Sequence, residues 1–454
     1  MRYRRKLSTT VVVSTALVGL VAGCSSGSGN NNNNSAGSSS GGAASKSLSG
    51  TSFTVLGQWT GAEQQAFQSV LDAFNSKTGA KAVYTPAAGG DEATVLGAKV
   101  AGGTPPDIAI LSLPGAIQQY ANAGKLQQVS SGAQSAVKDN FADEWAKLAT
   151  VNGKVYGVPV DASNKSTVWY NTNAFNSAGV KGTPSTWDDW IKDAKTLSDS
   201  GVSVPISVGG GDGWTLTDWF ENVYLRTAGL DKYDQLTNHK IPWTDPSVAT
   251  ALTTLKQIWG DQQLIGSPAN AAKTTFTASV DNVFKKSPTS AMVYEASFVA
   301  TTITGDKDPA VVGKDAKFFP FPSINGSKPA VEAAGDFAVA FSANKAVQPF
   351  LEYLASPEAA KLLVSAPGSG FLSANKNLDN SAYPDSTSAD LAKQVVTVGS
   401  DFRFDMSDQA PAAFGGTPNQ GEWGDLQQFL TTGDVAATQQ KLEQDAAAAK
   451  GWGG

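Results

Sequence analysis

From residue 51 onward the chain alternates between two hydrophobic periods, and that alternation limits the folds open to it. Phe53 to Gly57 follows the period of a half-buried strand. Thr60-Gly61-Ala62-Glu63 has the spacing of a capping box, which predicts a helix start. Phe67, Val70, Leu71 and Phe74 then form the apolar face of a helix ending near Gly79. A strand at Lys81–Thr85, a helix at Ala93–Ala101, a strand at Asp107–Leu111 and a helix from Pro114 through Tyr120 continue the series. Strands separated by helices imply a parallel α/β sheet. Ligands of such sheets bind beyond the carboxyl ends of the strands, which points to Trp59 and Leu111–Pro114.

Further along, Gly153–Pro159 reads as a turn and a strand, and Thr167–Asn171 as another strand. Trp187, Trp190, Ile191, Ala194 and Leu197 keep helical spacing, as do Val248, Leu252, Leu255, Ile258 and Trp259, and later Val347, Phe350, Leu351 and Leu354. This body of about 400 residues is larger than one core comfortably holds.

The N-terminal segment follows a different logic. Arg2, Arg4, Arg5 and Lys6 precede an apolar stretch, Val11–Val21, that is too short to span a bilayer, which needs roughly 20 apolar residues. Residues 1–23 therefore read as an export signal. The stretch ends in Val21-Ala22-Gly23-Cys24, which resembles a bacterial lipobox and makes Cys24 the expected lipidation site. An ordinary secretory signal with a chance Cys is the alternative; that the chain's one Cys falls here argues against it. Residues 24–50 read as a flexible Ser/Gly/Asn linker with too little apolar surface to order itself.

Composition excludes several chemistries. One Cys and one His, His239, cannot build a four-cysteine or Cys2His2 zinc site, so no metal or cofactor is expected. Forty acidic residues against 34 basic ones give a formal charge of −6, or −10 without residues 1–23, which argues against nucleic acid. Eleven Trp residues make the chain rich in large flat aromatic faces.

Several segments together carry a resemblance. They are Gln58-Trp59-Thr60, the run Gly102–Ala109, Gly153–Pro159 followed by Trp169-Tyr170-Asn171, Pro184-Ser185-Thr186-Trp187, and Ala291-Met292-Val293-Tyr294-Glu295. In order and spacing they resemble carbohydrate-binding extracellular solute-binding proteins of ABC importers, similar to maltose-binding protein, and within them the α-glucoside or oligosaccharide binders. The resemblance implies an α/β, two-lobed, periplasmic-binding-protein-like fold of type II with hinge-crossing segments. One lobe would be 51–160 with 337–376, and the other 164–332 with 377–454. The crossings would lie near Val160–Ser163, Glu332–Asp336 and Asn375–Asp379. It also implies no enzymatic activity, a monomer lipid-anchored on the outer face of a bacterial cell membrane, and separate permease and ATPase subunits as partners.

Carried over position by position, the resemblance marks ligand contacts that each have a plainer reading. Trp59 matches a sugar-contacting turn, or is core under the first helix. Asp212 and Trp214, in a Gly-rich loop, match a carboxylate–aromatic pair; phosphate binding fails there for want of a GxxxxGK[ST] motif. Glu295 and Phe298 match an aromatic platform, with Phe where Trp is common, and Trp423 a later one. Asp161, Asn164 and Lys165 lie at the first crossing as sugar contacts or as solvated hinge residues, and Lys165 would suit an acidic ligand. Asp336 lies on the second crossing. Trp145, Trp187, Trp190, Trp219 and Trp259 read as packing, and His239 as a surface residue. The rival functions are binding of another small solute, a peptide or polyamine, and an anchored glycoside hydrolase needing two carboxylates about 5–10 Å apart.

Overall fold

The protein is described from a computed structural model, covering residues 48–87, 92–305 and 310–452. The expected signal, Cys24 and all but the end of the linker lie outside the described residues. Among the described residues no helix is long and apolar enough to cross a membrane.

The strands in chain order are β1 (Ser52–Gly57), β2 (Lys81–Pro86), β3 (Ile108–Leu111), β4 (Thr150–Val151), β5 (Lys154–Val155), β6 (Gly157–Pro159), β7 (Ser163–Asn164), β8 (Thr167–Asn171), β9 (Val204–Ser207), β10 (Ser290–Tyr294), β11 (Ala316–Pro320), β12 (Val331–Ala334), β13 (Phe337–Ala340) and β14 (Phe402–Phe404). They form two main sheets, ordered β2-β1-β3-β13-β6 and β11-β8-β10-β9. A small sheet, β14-β12-β7, and the hairpin β4-β5 complete the set. Each main sheet is flanked by helices, and each centres one of two buried apolar clusters, so the molecule has two α/β lobes.

The first helix shows how sequence becomes packing. It runs Gly61–Thr78, buries Phe67, Val70, Leu71 and Phe74, and ends on Gly79 at φ 73°, whose amide donates to the Asn75 carbonyl. Glycine tolerates that left-handed turn without steric cost. The expected capping box does not form, because Thr60 makes no side-chain cap bond. The Glu63 carboxylate lines the cleft described below.

The sheets are not purely parallel. β1 pairs parallel with β2 and β3, as the alternation implies, but β13 lies antiparallel between β3 and β6. The reason is connectivity: β13 enters the first sheet on the chain's return from the other lobe. β7 and β12, antiparallel neighbours, belong to the two outward and returning passages. At the second passage Gly335 packs so tightly that a Cβ there would lie 2.5 Å from the Asp161 carbonyl oxygen and 3.0 Å from the Trp145 ring. Asn375–Asp379 is bonded to the first lobe: the Lys376 amide donates to Asn140 and the Asn375 side chain to Ala355. Past β14 the chain bonds to the second lobe, where Glu221 accepts the amides of Met406 and Ser407.

The five Trp residues read as packing are buried. Asp188 and Asp189 occupy the first turn of the helix Trp187–Asp199, whose Thr186 side chain accepts the Asp189 amide. His239 differs from its expected surface position. Its ring lies 3.2 Å from Glu443 and 5.0 Å from the Trp452 ring, because the C-terminal residues fold over it.

Candidate ligand-binding cleft

Between the lobes lies a cleft of about 990 Å³, within the usual range for small-molecule sites. One wall follows the carboxyl ends of first-sheet strands, with Gln58, Trp59, Ser112 and Leu113. The floor comes from the passages between lobes: Asp161, Ser163, Lys165, Gly335 and Asp336. The opposite wall is aromatic.

Trp214, Phe276 and Phe298 meet there with ring centroids 5.3–5.8 Å apart, and Trp423 also lines the cleft. The sequence permits this through Gly213, at φ 85°, where a Cβ would sit 3.0 Å from the Trp423 Cβ. Trp214 opens the helix Trp214–Ala228, so Asp218, one turn on, shares its face and also lines the cleft. Trp59, opposite, is 3% exposed and packs edge-on against Phe67 and Phe371; it serves both core and wall.

Seven of the ten expected residues line the cleft: Trp59, Asp161, Lys165, Trp214, Phe298, Asp336 and Trp423. Three stand behind it. Asn164 is fully buried; its side-chain amide donates to Gln394 and its Oδ1 accepts the Ser166 amide. Asp212 accepts the Phe276 amide at 2.6 Å and so fixes a residue of the aromatic wall. Glu295 is buried behind Asp218 and accepts the Ala296 amide. Glu63, Asp218, Phe276, Phe371 and Asp408 line the cleft without having been anticipated. Helical spacing from Trp214 would have found Asp218; the others carried no local signal.

Lys165 sits among carboxylates. Its ammonium contacts Asp405, lies 3.1 Å from Asp218 and 4.0 Å from Asp408. Burial works to lower its pKa, but Asp218, Asp405, Asp408 and Glu332 outweigh burial and hold it well above the ordinary lysine value. One oxygen each of Asp218, Glu332 and Asp405 lies within 4.8 Å of the others, a spacing that suits a cation, and the Lys165 ammonium supplies that charge. The two direct partners respond differently. Burial dominates at Asp218 and pushes it up to about 7 despite Lys165, whereas at Asp405 Lys165 and the Ser407 and Asp408 donors overcome burial and pull it down. Asp218 Oδ2 and Glu295 Oε1 have no donor from the chain. Burial, then the neighbouring Asp218, pushes Glu295 well above the ordinary carboxylate range. An acidic ligand at Lys165 would meet carboxylates that already neutralise it.

A second set of carboxylates has no such cation. Glu63, Asp161 and Asp336 line the cleft, and none forms an ion pair with a Lys, Arg or His among the described residues. The Asp336 amide donates to Asp161 Oδ1 at 2.6 Å, which ties the first and second passages together. Burial, then neighbouring acids, pushes Asp161 up to about 7 and Asp336 well above the usual carboxylate range; burial alone takes Glu63 to about 7.

Comparison with known proteins follows from this geometry. A family model described as bacterial extracellular solute-binding protein matches residues 58–361. The chain is 32% identical over 369 residues to the osmoprotective compounds-binding protein GgtB of Synechocystis sp., across 80% of this chain and 85% of that one. It is 30% identical over 413 residues to the alpha-glucosides-binding periplasmic protein AglE of Rhizobium meliloti, across 87% of each. In fold it is similar to the solute-binding protein RafE in complex with raffinose, with a TM-score of 0.69 at 18% identity over 88% of this chain and 99% of that one. With two α/β lobes around a central cleft, the chain belongs to the bacterial extracellular solute-binding protein family.

Proposed function

We propose that the protein captures a carbohydrate, an oligosaccharide or glucoside, in the interlobe cleft and delivers it to an ABC importer. The observation that carries this reading is the pairing of an aromatic wall, Trp214 with Phe276, Phe298 and Trp423, with a floor of hydrogen-bond acceptors. Apolar sugar faces stack on the first, and hydroxyls donate to the second. The name of one relative, alpha-glucosides-binding, supports the same class. The rival hydrolase reading loses support from a family of binding proteins.

In this reading the passages near Val160–Ser163 and Glu332–Asp336 are the hinge, and closure about them signals occupancy to the permease. The third passage is drawn at Phe402–Asp405 rather than at Asn375–Asp379, a revision that follows the bonding of each segment. The protein works on the outer face of the membrane, as a monomer held through lipid on Cys24.

Titration with mono- to tetrasaccharides is expected to change tryptophan fluorescence at micromolar concentrations or below. Trp214→Ala would reduce affinity at least tenfold. Flat responses across the whole panel would sink the carbohydrate reading.

A further inference from the structure

We infer that the ligand is a hydroxylated ring compound carrying a protonated amine, whose ammonium seats against Glu63, Asp161 and Asp336; the inference rests on the carbohydrate reading above and narrows it. The cleft is unbalanced in charge. Among the described residues, six carboxylates line it (Glu63, Glu92, Asp161, Asp218, Asp336, Asp408) against one basic side chain, Lys165. The Lys165 ammonium is already shared among Asp218, Asp405 and Asp408. Among the described residues, no further basic side chain lines the end of the cleft formed by Glu63, Asp161 and Asp336.

That end is built, not incidental. Asp161 and Asp336 are only 8% and 6% exposed, yet both line the cleft. The one hydrogen bond Asp161 accepts from another residue falls on Oδ1, which leaves Oδ2 for a ligand. Glu63, in the first turn of the helix whose Thr60 makes no side-chain cap bond, lines the cleft. Three carboxylates from a helix start and two separate passages thus converge on one place, while Thr301 Oγ1 and Trp423 Nε1, also in the cleft, have no partner in the chain.

Buried carboxylates without a counter-charge either hold protons or bind a cation. A bare ion would leave the aromatic wall unused. A ring with a protonated amine satisfies both ends, with its face on Trp214 and Phe298 and its ammonium on the acids.

The test is calorimetry on the full chain at pH 7.5 with glucose, maltose and trehalose, each beside its 2-amino and 6-amino deoxy counterparts and their N-acetyl forms. Expected is at least one amine that binds tenfold or more tighter than its neutral parent, with proton release seen as a dependence of the heat on buffer ionisation enthalpy. N-acetylation, which keeps the bulk and removes the charge, should abolish the preference, and so should Asp161→Asn or, separately, Asp336→Asn. Neutral parents that bind as tightly as every amine would overturn the inference and leave the carbohydrate reading standing. No binding by any compound would overturn both.

Discussion

Two groups of carboxylates lie in and behind the same cleft, and they differ in whether the chain supplies a cation. Around Lys165, the acids Asp218, Asp405 and Asp408 enclose an ammonium, and Asn222 holds Glu332 beside them. These residues come from β12, from the segments after β7 and β14, and from the helix Trp214–Ala228, so the group ties separate stretches of the chain together. Around Glu63, Asp161 and Asp336 no ammonium is present among the described residues. The difference is that one cluster carries its counter-charge within the chain, whereas the other must hold protons or take a cation from outside.

The largest expected effect tests the compensated group. Lys165→Met leaves Asp218 and Asp405 buried without their cation, and breaking such a pair costs about 3–5 kcal/mol. Urea unfolding at pH 7.5 should register that loss; a change below about 1 kcal/mol would mean that Lys165 is not the keystone of the hinge.

A smaller effect of opposite sign tests the uncompensated group. Asp161 and Glu63 are raised to about 7 in the folded protein, above their unfolded values near 4, so the native state holds protons that the unfolded chain has lost. Their contribution to stability is therefore greatest near pH 4 and falls as pH rises toward 7. Asp405, depressed, contributes the reverse, lost only as pH drops below the ordinary carboxylate range. Asp161→Asn should leave stability at pH 5 nearly unchanged and raise it at pH 8 by at least about 1 kcal/mol. Thermal melts at both values check this; equal melting temperatures for variant and parent at pH 8 would place Asp161 with the compensated acids.

The smallest effect concerns Glu63. Because Thr60 makes no cap bond, Thr60→Ala should change stability by less than about 0.5 kcal/mol, while Thr186→Ala, which removes a real cap, should cost about 1 kcal/mol. A loss of similar size at both would mean that the Thr60 side chain caps the first helix after all.

Much of the fold was legible in sequence because it rests on local periodicity. The strand at Thr167–Asn171 and the apolar face of Phe67, Val70, Leu71 and Phe74 follow directly from spacing. The antiparallel insertion of β13 was not legible, since it depends on where the chain returns from the other lobe. The aromatic contacts Trp214, Phe298 and Trp423 came through resemblance, and the cleft gathers them. The charge logic did not come through. Lys165 read as a site for an acidic ligand because its three partners lie 53 to 243 positions away, and Glu63 read as a cap because the spacing of a capping box is the same whether or not the carboxylate turns away.

The most direct measurement is a carbon-13 NMR titration of the aspartate carboxyls in the free protein, with Asp161, Asp336 and Asp405 assigned through their Asn variants. Asp161 should titrate near 7, Asp336 above the ordinary carboxylate range and Asp405 below it. If all three titrate together near the ordinary aspartate value of about 4, the two groups are not electrostatically distinct, and the division between a structural and a ligand-facing cluster is contradicted.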